Sequence, residues 1–307
     1  LPAGYEVMLG NGGSTAFWDA AVFGLIDSRS THLVLGEFSA KFAAAAKGAP
    51  HLADPEIIDT PPGATPLLAG SVAGDIYAYP HNETSTGVMV PLHRPDESDA
   101  LVVVDGTSAA GGLRASGVAF DVYYFAPQKC FASDGGLWLA LCSPAALARI
   151  EARAASDRWV PPSLDLGIAL ENSRLDQTYN TPSLATLFLF AYQLEWMLSR
   201  GGLEFAASRC DAMAAVVYSW ADKHALATPF VTDHTYRSHV TATIDFDAAV
   251  DATQLAAELR ANGILDVEPY RKLGRNQLRI ALFPAIEPDD IETLTAAIDY
   301  LVERLAS

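Results

Sequence analysis

Cysteines and long apolar runs are both scarce in this chain of 307 residues. The three cysteines, Cys130, Cys142 and Cys210, show no metal-ligand spacing, which points to a reducing compartment such as the cytoplasm. No apolar run approaches the length of a membrane span, and neither internal repeats nor low-complexity tracts are evident. The composition therefore predicts a cytoplasmic globular protein with no membrane as a partner.

Positive charge is also scarce. The sequence has 20 Lys and Arg residues against 37 Asp and Glu residues, and its formal net charge is −17. This balance argues against nucleic acid or an anionic membrane as a partner. The 7 histidines show no paired metal-ligand spacing, so no metal site is predicted.

One of the few lysines lies in an unusual context. Lys129 follows the apolar, strand-like run 122–126 and precedes a Gly-Gly turn, whereas the other lysines lie in helical or loop contexts. The end of a buried strand is the sheet edge where α/β proteins bind ligands, and burial there favours the neutral amine. A Schiff base with an aldehyde cofactor requires a neutral amine. A buried lysine paired with a carboxylate is the alternative that this segment leaves open.

Asp105 ends a second buried strand, after the apolar run 101–104 and before a turn of small residues. One alternative is an Asx turn, in which the side chain of Asp105 only caps the reversal of its own chain. If its strand lies parallel to and beside the strand that leads to Lys129, both side chains reach the same sheet edge. A carboxylate there would keep the pyridine nitrogen of pyridoxal phosphate protonated, because it raises the pKa of that nitrogen.

A glycine-rich turn supplies a candidate phosphate site. The strand-like run 5–9 leads into Gly10-Asn11-Gly12-Gly13-Ser14-Thr15 and then into a helix-like run. Strand, glycine turn and helix N-terminus together aim unpaired backbone N–H groups at an anion. The turn matches neither the Walker motif nor the dinucleotide fingerprint, and an ordinary N-cap turn remains the alternative.

These segments together resemble the class V, fold-type I aminotransferases that depend on pyridoxal phosphate, and the bacterial phosphoserine aminotransferases in particular. The similarity runs over essentially the whole chain, and its most specific parts are Pro127-Gln128-Lys129 and the Tyr-Asn-Thr-Pro run at 179–182. The resemblance implies an α/β fold with a large, mostly parallel sheet of the seven-stranded type and a small α+β C-terminal domain. We expect the large domain to span residues 1–225 and the small domain residues 226–307.

The resemblance also implies roles for individual residues. Lys129 would form the Schiff base and move the proton, and Asp105 would hold the pyridine nitrogen. The other implied cofactor contacts are Gly13, Ser14 and Gln128 at the phosphate, Thr84 near the ring hydroxyl, and Phe38 against the ring face. Asn180 and Thr181 would reach the cofactor phosphate of a partner subunit, so a homodimer with shared active sites is expected.

A cluster of cations offers a site for an anionic substrate. Arg271, Lys272, Arg275 and Arg279 lie in one short segment of an otherwise acidic chain. The pattern alone leaves Arg279 open as a solvent-facing strand residue. The resemblance implies that Arg279 clamps the substrate α-carboxylate, a geometry that suits guanidinium, and that Arg271 and Lys272 meet the second anion.

The implied reaction transfers the amino group of glutamate to 3-phosphohydroxypyruvate, with phosphoserine as the product in serine biosynthesis and ping-pong kinetics. Phosphorylated hydroxythreonine, which would connect the enzyme to pyridoxine biosynthesis, remains open as a second substrate. An alanine–glyoxylate type of aminotransferase is an alternative, although it does not need a second anion site. A cysteine desulfurase is disfavoured, because its ring-stacking histidine and mobile-loop cysteine have no evident counterpart.

Two departures from the family pattern affect these expectations. Ser14 stands where many relatives have an arginine, so phosphate binding is expected to depend more on backbone and hydroxyl donors. Relatives carry a further segment before the position of Leu1, including a His-Arg pair that touches substrate. A truncated chain that forms dimers without turnover is therefore the remaining alternative.

Apolar periodicity predicts the other elements. We expect helices at 38–48, from Pro144 to about Ser156, and from Pro182 to Arg200, with a further helix to about Ala225. An irregular stretch is expected from Trp159 to Tyr179. From Tyr236 onward the pattern predicts a strand, a helix, two more strands and a C-terminal helix. Leu187, Phe190, Leu194 and Met197 form an apolar stripe, which indicates core or dimer interface.

Overall fold

The computed structural model describes residues 1–96 and 98–305. Its strands are β1 (Glu6–Asn11), β2 (Ser30–Val34), β3 (Glu56–Asp59), β4 (Ile76–Pro80), β5 (Asn82–Glu83), β6 (Val88–Met89), β7 (Leu101–Asp105), β8 (Val122–Phe125), β9 (Leu137–Cys142), β10 (Ala227–Pro229), β11 (Thr241–Phe246) and β12 (Gln277–Ala281). Its α-helices are α1 (Ser14–Gly24), α2 (Glu37–Gly48), α3 (Pro144–Ala154), α4 (Leu166–Ser173), α5 (Leu184–Arg200), α6 (Gly202–Ala221), α7 (Ala252–Ala261) and α8 (Pro288–Leu305).

Seven strands form the large sheet, in the order β1-β9-β8-β7-β4-β2-β3. The pairings from β8 to β3 are parallel, whereas β9 runs antiparallel to both β1 and β8. Every residue of β2, β4 and β8 is buried, as expected for parallel strands covered on both faces. The predicted fold class, with its mostly parallel seven-stranded sheet, is confirmed.

A smaller antiparallel sheet, β10-β11-β12, packs with α7 and α8. Its core also takes in Met213 and Val217 of α6, which contact the cluster formed by Ile244, Leu255 and Ile298. The helix before residue 225 thus contributes to the core that follows it. The division at residue 225 stays a prediction. No helix within the described ranges has both the length and the apolar character that a membrane crossing needs.

Two expectations about secondary structure were wrong. The stretch from Trp159 to Tyr179 contains α4, which Asp165 caps by accepting hydrogen bonds from the first-turn amides and which buries Leu166 and Leu170. The prolines before it obscured this short helix. Between α7 and α8 the chain forms one strand, not two, because the cationic segment is a turn with a 3₁₀ helix at Arg271–Leu273.

Parallel pairing brings the ends of three central strands to one edge of the large sheet. Pro80 at the end of β4 lies beside Asp105 at the end of β7, and Asp105 lies beside Tyr124 of β8. The chain then continues from β8 to Lys129. This edge is where open α/β sheets bind ligands.

Asp121 joins three elements just before β8, and its loss should destabilise the fold. Its carboxylate accepts hydrogen bonds from Val102 N and Arg94 Nη1, both at 2.8 Å, and from Ser143 Oγ at 2.9 Å. Asp121→Ala leaves a buried amide and a guanidinium without their acceptor, so we expect the free energy of unfolding to fall by about 3 kcal/mol in urea denaturation. Asp19→Ala, at an exposed helix position, should change it by less than about 0.5 kcal/mol. Equal effects of the two substitutions would contradict this assignment.

Candidate active site

A cavity of about 220 Å³ opens at the carboxyl edge of the large sheet. Its walls contain many of the predicted cofactor residues, namely Gly13, Ser14, Phe38, Thr84, Asp105, Gln128 and Lys129. Thr15, Trp18, Pro80, Asn82, Thr107 and Ser108 complete its lining. A larger cavity of about 380 Å³ lies beside α5, but its walls are almost wholly apolar. The predicted cofactor residues therefore meet in the smaller of these two cavities.

Asp105 presents a fixed carboxylate to this cavity. Its Oδ1 accepts a hydrogen bond from Thr107 N at 2.8 Å, and its Oδ2 accepts one from the Tyr124 hydroxyl at 3.0 Å. Burial raises the pKa of Asp105, while the hydrogen bonds from Thr107 and Tyr124 oppose that rise. An oriented carboxylate in an enclosed place fits the pyridine nitrogen of pyridoxal phosphate.

Lys129 reaches the same cavity on the loop after β8. Burial lowers the pKa of Lys129, and the guanidinium of Arg279 lowers it further, whereas the Cys130 thiol acts in the opposite direction. Its ammonium forms no ion pair with a carboxylate in residues 1–96 and 98–305. The structure thus does not support the alternative of a lysine neutralised by an acid, and it favours a reactive amine.

The N-terminus of α1 also lines the cavity. Gly13 caps the helix without a side-chain hydrogen bond, which leaves first-turn amides directed out of the helix end. Ser14 Oγ lies 2.5 Å from Thr107 Oγ1, and Gln128 adds an exposed amide. Backbone N–H groups and hydroxyls at a helix N-terminus suit a phosphate. At Ser14 the site thus offers neutral donors to an anion, as the sequence analysis expected.

Phe38 is held in the cavity wall by a buried carboxylate. Glu83 accepts hydrogen bonds from Ser39 N at 2.9 Å and Ser39 Oγ at 2.7 Å, and also from Ser85 Oγ at 2.6 Å. These bonds anchor the first turn of α2, where Phe38 lies. The Phe38 ring lies 5.8 Å from the ring of Tyr270, measured between centroids. Its position in the wall suits a π-face for an aromatic cofactor.

Ser108 connects two further residues of the cavity lining. Thr84 Oγ1 donates to Ser108 Oγ at 2.8 Å, and Asn82 Nδ2 donates to the same atom at 2.9 Å. Asn82 Oδ1 is buried and has no hydrogen-bond partner in the part of the chain that the structure describes. An acceptor without a partner beside Thr84 fits the hydroxyl of a bound ring. Ser108 and Thr107 were not predicted as site residues, although both lie in the small-residue turn directly after Asp105.

The four cations of the predicted cluster differ in how they are paired. Arg275 Nη2 lies 2.5 Å from Asp245 Oδ2, and Lys272 forms an ion pair with Glu37. Arg279 and Arg271 form no ion pair within the described residues, although the carboxylate of Glu268 is near enough to Arg279 to act on its pKa. Arg279 is half-buried on β12, with its guanidinium 5.5 Å from the Tyr270 ring centroid. Arg279 is therefore the cation best placed for an anion near Lys129.

Asn180 and Thr181 do not reach the cavity of their own chain. Both are exposed and contact Asn11, through Asn180 N to Asn11 Oδ1 at 3.3 Å and Asn11 Nδ2 to Thr181 O at 3.4 Å. Their predicted role at a partner's phosphate stays a prediction.

The lowered pKa of Lys129 has a direct chemical consequence. Cyanate reacts with neutral amines, so Lys129 should be carbamylated at lower pH than the exposed Lys47 when both are followed by peptide mass mapping of the cofactor-free protein. Arg279→Gln removes a neighbouring positive charge, which should move the pH profile of Lys129 upward. Arg275→Gln, whose guanidinium is paired with Asp245, should leave that profile unchanged. An unshifted profile in Arg279→Gln would contradict the electrostatic contact.

Comparisons with known proteins identify the family of this chain. The family described as aminotransferase class V matches residues 73–266. A phosphoserine aminotransferase of Rhodococcus jostii is 55% identical over 306 residues, which cover 99% of this chain and 82% of that protein. A protein of Mycolicibacterium vanbaalenii, which carries the same name provisionally, is 59% identical with the same coverage of both chains.

A solved structure of a phosphoserine aminotransferase from Cytophaga hutchinsonii superposes with a TM-score of 0.90 over 98% of this chain and 84% of that chain, at 23% identity. At this identity the superposition supports the fold, while the sequence relatives support the family. The chain therefore belongs to the class V aminotransferases, in the group of the phosphoserine aminotransferases, and is a transaminase that depends on pyridoxal phosphate.

Proposed function

We propose that the chain transfers the amino group of glutamate to 3-phosphohydroxypyruvate and so produces phosphoserine for serine biosynthesis. The observation that carries this proposal is the single cavity that holds Lys129, Asp105 and a helix N-terminus, with an unpaired Arg279 beside it. The names of the sequence relatives support the choice of substrate.

The bound cofactor supplies an aldehyde carbon and an aromatic ring that accepts electrons from the substrate α-carbon. Lys129 would have two tasks, because its neutral amine suits bond formation with such an aldehyde and, when free, could take the substrate α-proton and return it. Asp105 holds a proton on the ring nitrogen. Phe38, Thr84 and Ser108 line the cavity and would orient the ring within it.

The cations divide the recognition of substrate between them. Arg279 is half-buried, and its guanidinium is available for a bidentate contact with the α-carboxylate. Arg271 is exposed and has no carboxylate partner in the described ranges, which suits the phosphate of the keto substrate or the side chain of glutamate. Lys272 would have to leave Glu37 before it could take part. An alanine–glyoxylate type of enzyme has no use for this second anion site.

We also propose that the chain works as a homodimer. Leu184, Phe188 and Tyr192 form an apolar stripe on α5, and they are 76%, 70% and 66% exposed. Residues at this spacing share one helix face, and large contiguous apolar patches typically mark protein interfaces. The stripe begins just after Asn180 and Thr181, so the same interface would carry both residues towards a partner's cofactor phosphate.

The buried, unpaired cysteines support a cytoplasmic location, because thiols persist in reducing compartments. Phosphorylated hydroxythreonine has an anionic end like that of phosphoserine, and a second role in pyridoxine biosynthesis remains part of the proposal.

The proposed reaction predicts a clear substrate preference. With pyridoxal phosphate and glutamate, the chain should aminate 3-phosphohydroxypyruvate with a kcat/KM at least about 100-fold above that for glyoxylate, since glyoxylate leaves the second anion site unpaired. Mass spectrometry of the two amino-acid products measures the ratio. A preference for glyoxylate would favour the alternative enzyme.

Lysine variants serve as controls for the chemistry. Lys129→Ala should abolish transfer and the borohydride-trapped pyridoxyl adduct, whereas Lys47→Ala, at an exposed position at the end of α2, should retain both. A trapped adduct on a lysine other than Lys129 would overturn the assignment.

The proposed dimer interface can be tested with a single charge. Phe188→Asp places a carboxylate within the apolar stripe and should convert a dimer into monomers in analytical ultracentrifugation. Tyr300→Asp makes a comparable change at an exposed aromatic residue of α8 and should leave the dimer intact. If Phe188→Asp sediments like the unmodified chain, the interface lies elsewhere.

A further inference from the structure

A short chain of buried hydrogen bonds lies behind Asp105, and the roles assigned above do not require it. Trp18 Nε1 donates to the Tyr124 hydroxyl at 2.7 Å, and that hydroxyl lies 3.0 Å from Asp105 Oδ2. Trp18 is 4% exposed and Tyr124 is fully buried. These hydrogen bonds thus connect Trp18, in the wall of the cavity, through the buried Tyr124 to the carboxylate of Asp105 at the cofactor site.

The direction of these hydrogen bonds follows from the chemistry of the groups. An indole N–H can only donate, so the Tyr124 oxygen must accept from Trp18. The single proton of the phenol is then left for Asp105, whose other oxygen is already held by Thr107 N. Each oxygen of the carboxylate therefore receives a hydrogen bond from the protein, and the side chain of Thr107 also acts on this carboxylate.

Packing leaves Tyr124 little freedom to choose another partner. Its ring stacks on Phe17, with centroids 4.4 Å apart and an interplanar angle of 24°, and the edge of Phe42 meets it at 6.2 Å. A hydrogen bond to a charged group is stronger in such an enclosed place than at the surface. Two neighbouring aromatic residues therefore fix the phenol in the orientation that suits Asp105.

We propose that Tyr124, held by Trp18, is a positioning residue that keeps Asp105 ionised and oriented, and thereby sets how tightly the site binds a basic ring nitrogen. The inference rests on the proposed contact between Asp105 and that nitrogen. Burial raises the pKa of Asp105, and the nearby Glu83 acts in the same direction, whereas the hydrogen bonds from Thr107 and then the one from Tyr124 oppose that rise. Without the hydrogen bond from Tyr124, a larger share of Asp105 is neutral and cannot stabilise a protonated ring.

The test compares two cofactors that differ only at the ring nitrogen. Equilibrium dialysis of the cofactor-free protein gives the Kd of pyridoxal phosphate and that of its carbocyclic analogue, in which C–H replaces the nitrogen. The unmodified protein should prefer pyridoxal phosphate. In Tyr124→Phe this preference should shrink about tenfold, because one hydrogen bond to a charged group is lost, while the affinity for the analogue stays the same.

Tyr123→Phe is the matched control. It removes a hydroxyl from the same strand, but that side chain lies on the other face of the sheet and pairs with His81 Nδ1 at 3.0 Å. Tyr123→Phe should prefer pyridoxal phosphate over the carbocyclic analogue by the same factor as the unmodified protein. Trp18→Phe provides a second variant, and it should reduce the preference in the same direction as Tyr124→Phe.

The outcomes separate this inference from the proposed function. If the unmodified protein does not distinguish the two cofactors, the role of Asp105 is wrong, and the inference is overturned with it. If the unmodified protein distinguishes them and Tyr124→Phe does so equally well, the inference alone is overturned. An equal loss of affinity for both cofactors would also overturn it, because that result indicates a merely structural role.

Discussion

The parallel pairing of β4, β7 and β8 is the constraint on which the site depends. Residues that are far apart in sequence become neighbours because parallel strands end at a common edge. In the register of this sheet, Asp105 lies between Pro80 and Tyr124. The chain after β4 then supplies Asn82, Glu83 and Thr84, and the chain after β8 supplies Lys129. A slip of one residue in β7 would turn Asp105 to the other face, so the apolar runs that fix the register also fix the chemistry.

Buried carboxylates hold much of this arrangement together. Asp121 joins the beginnings of β7 and β8 to the N-terminus of α3, while Glu83 anchors the first turn of α2 behind Phe38. Both accept several hydrogen bonds, which offset the loss of hydration. Asp105 is held by two residues only, Thr107 and Tyr124, among those that the structure describes. A carboxylate with spare acceptor capacity facing a cavity is suited to a ligand, whereas a saturated one is suited to structure.

Much of the candidate site could be predicted from local patterns. Lys129 and Asp105 end apolar runs, and the glycine turn before α1 precedes a helix, so each signal lies within a few residues. Phe38 and Arg279 depended on the family resemblance, because an aromatic residue in a helix and an arginine in a strand are ordinary. The contacts that could not be predicted join distant segments. Lys272 pairs with Glu37 across 235 positions of sequence, and no local pattern contains that information.

Tyr124 illustrates the same limit within a single strand. β8 has two adjacent tyrosines, and alternation sends one to each face, but the sequence does not tell which one meets Asp105. The register with β7 decides this, and the position of Trp18 on α1 then decides the direction of the hydrogen bonds. Tyr124, which nothing in the sequence distinguishes from an ordinary core residue, thus lies next to Asp105. A hydroxyl that is buried without hydrogen-bond partners destabilises the fold. Here the Tyr124 hydroxyl accepts a hydrogen bond from Trp18 and donates one to Asp105, so it has a partner in both roles.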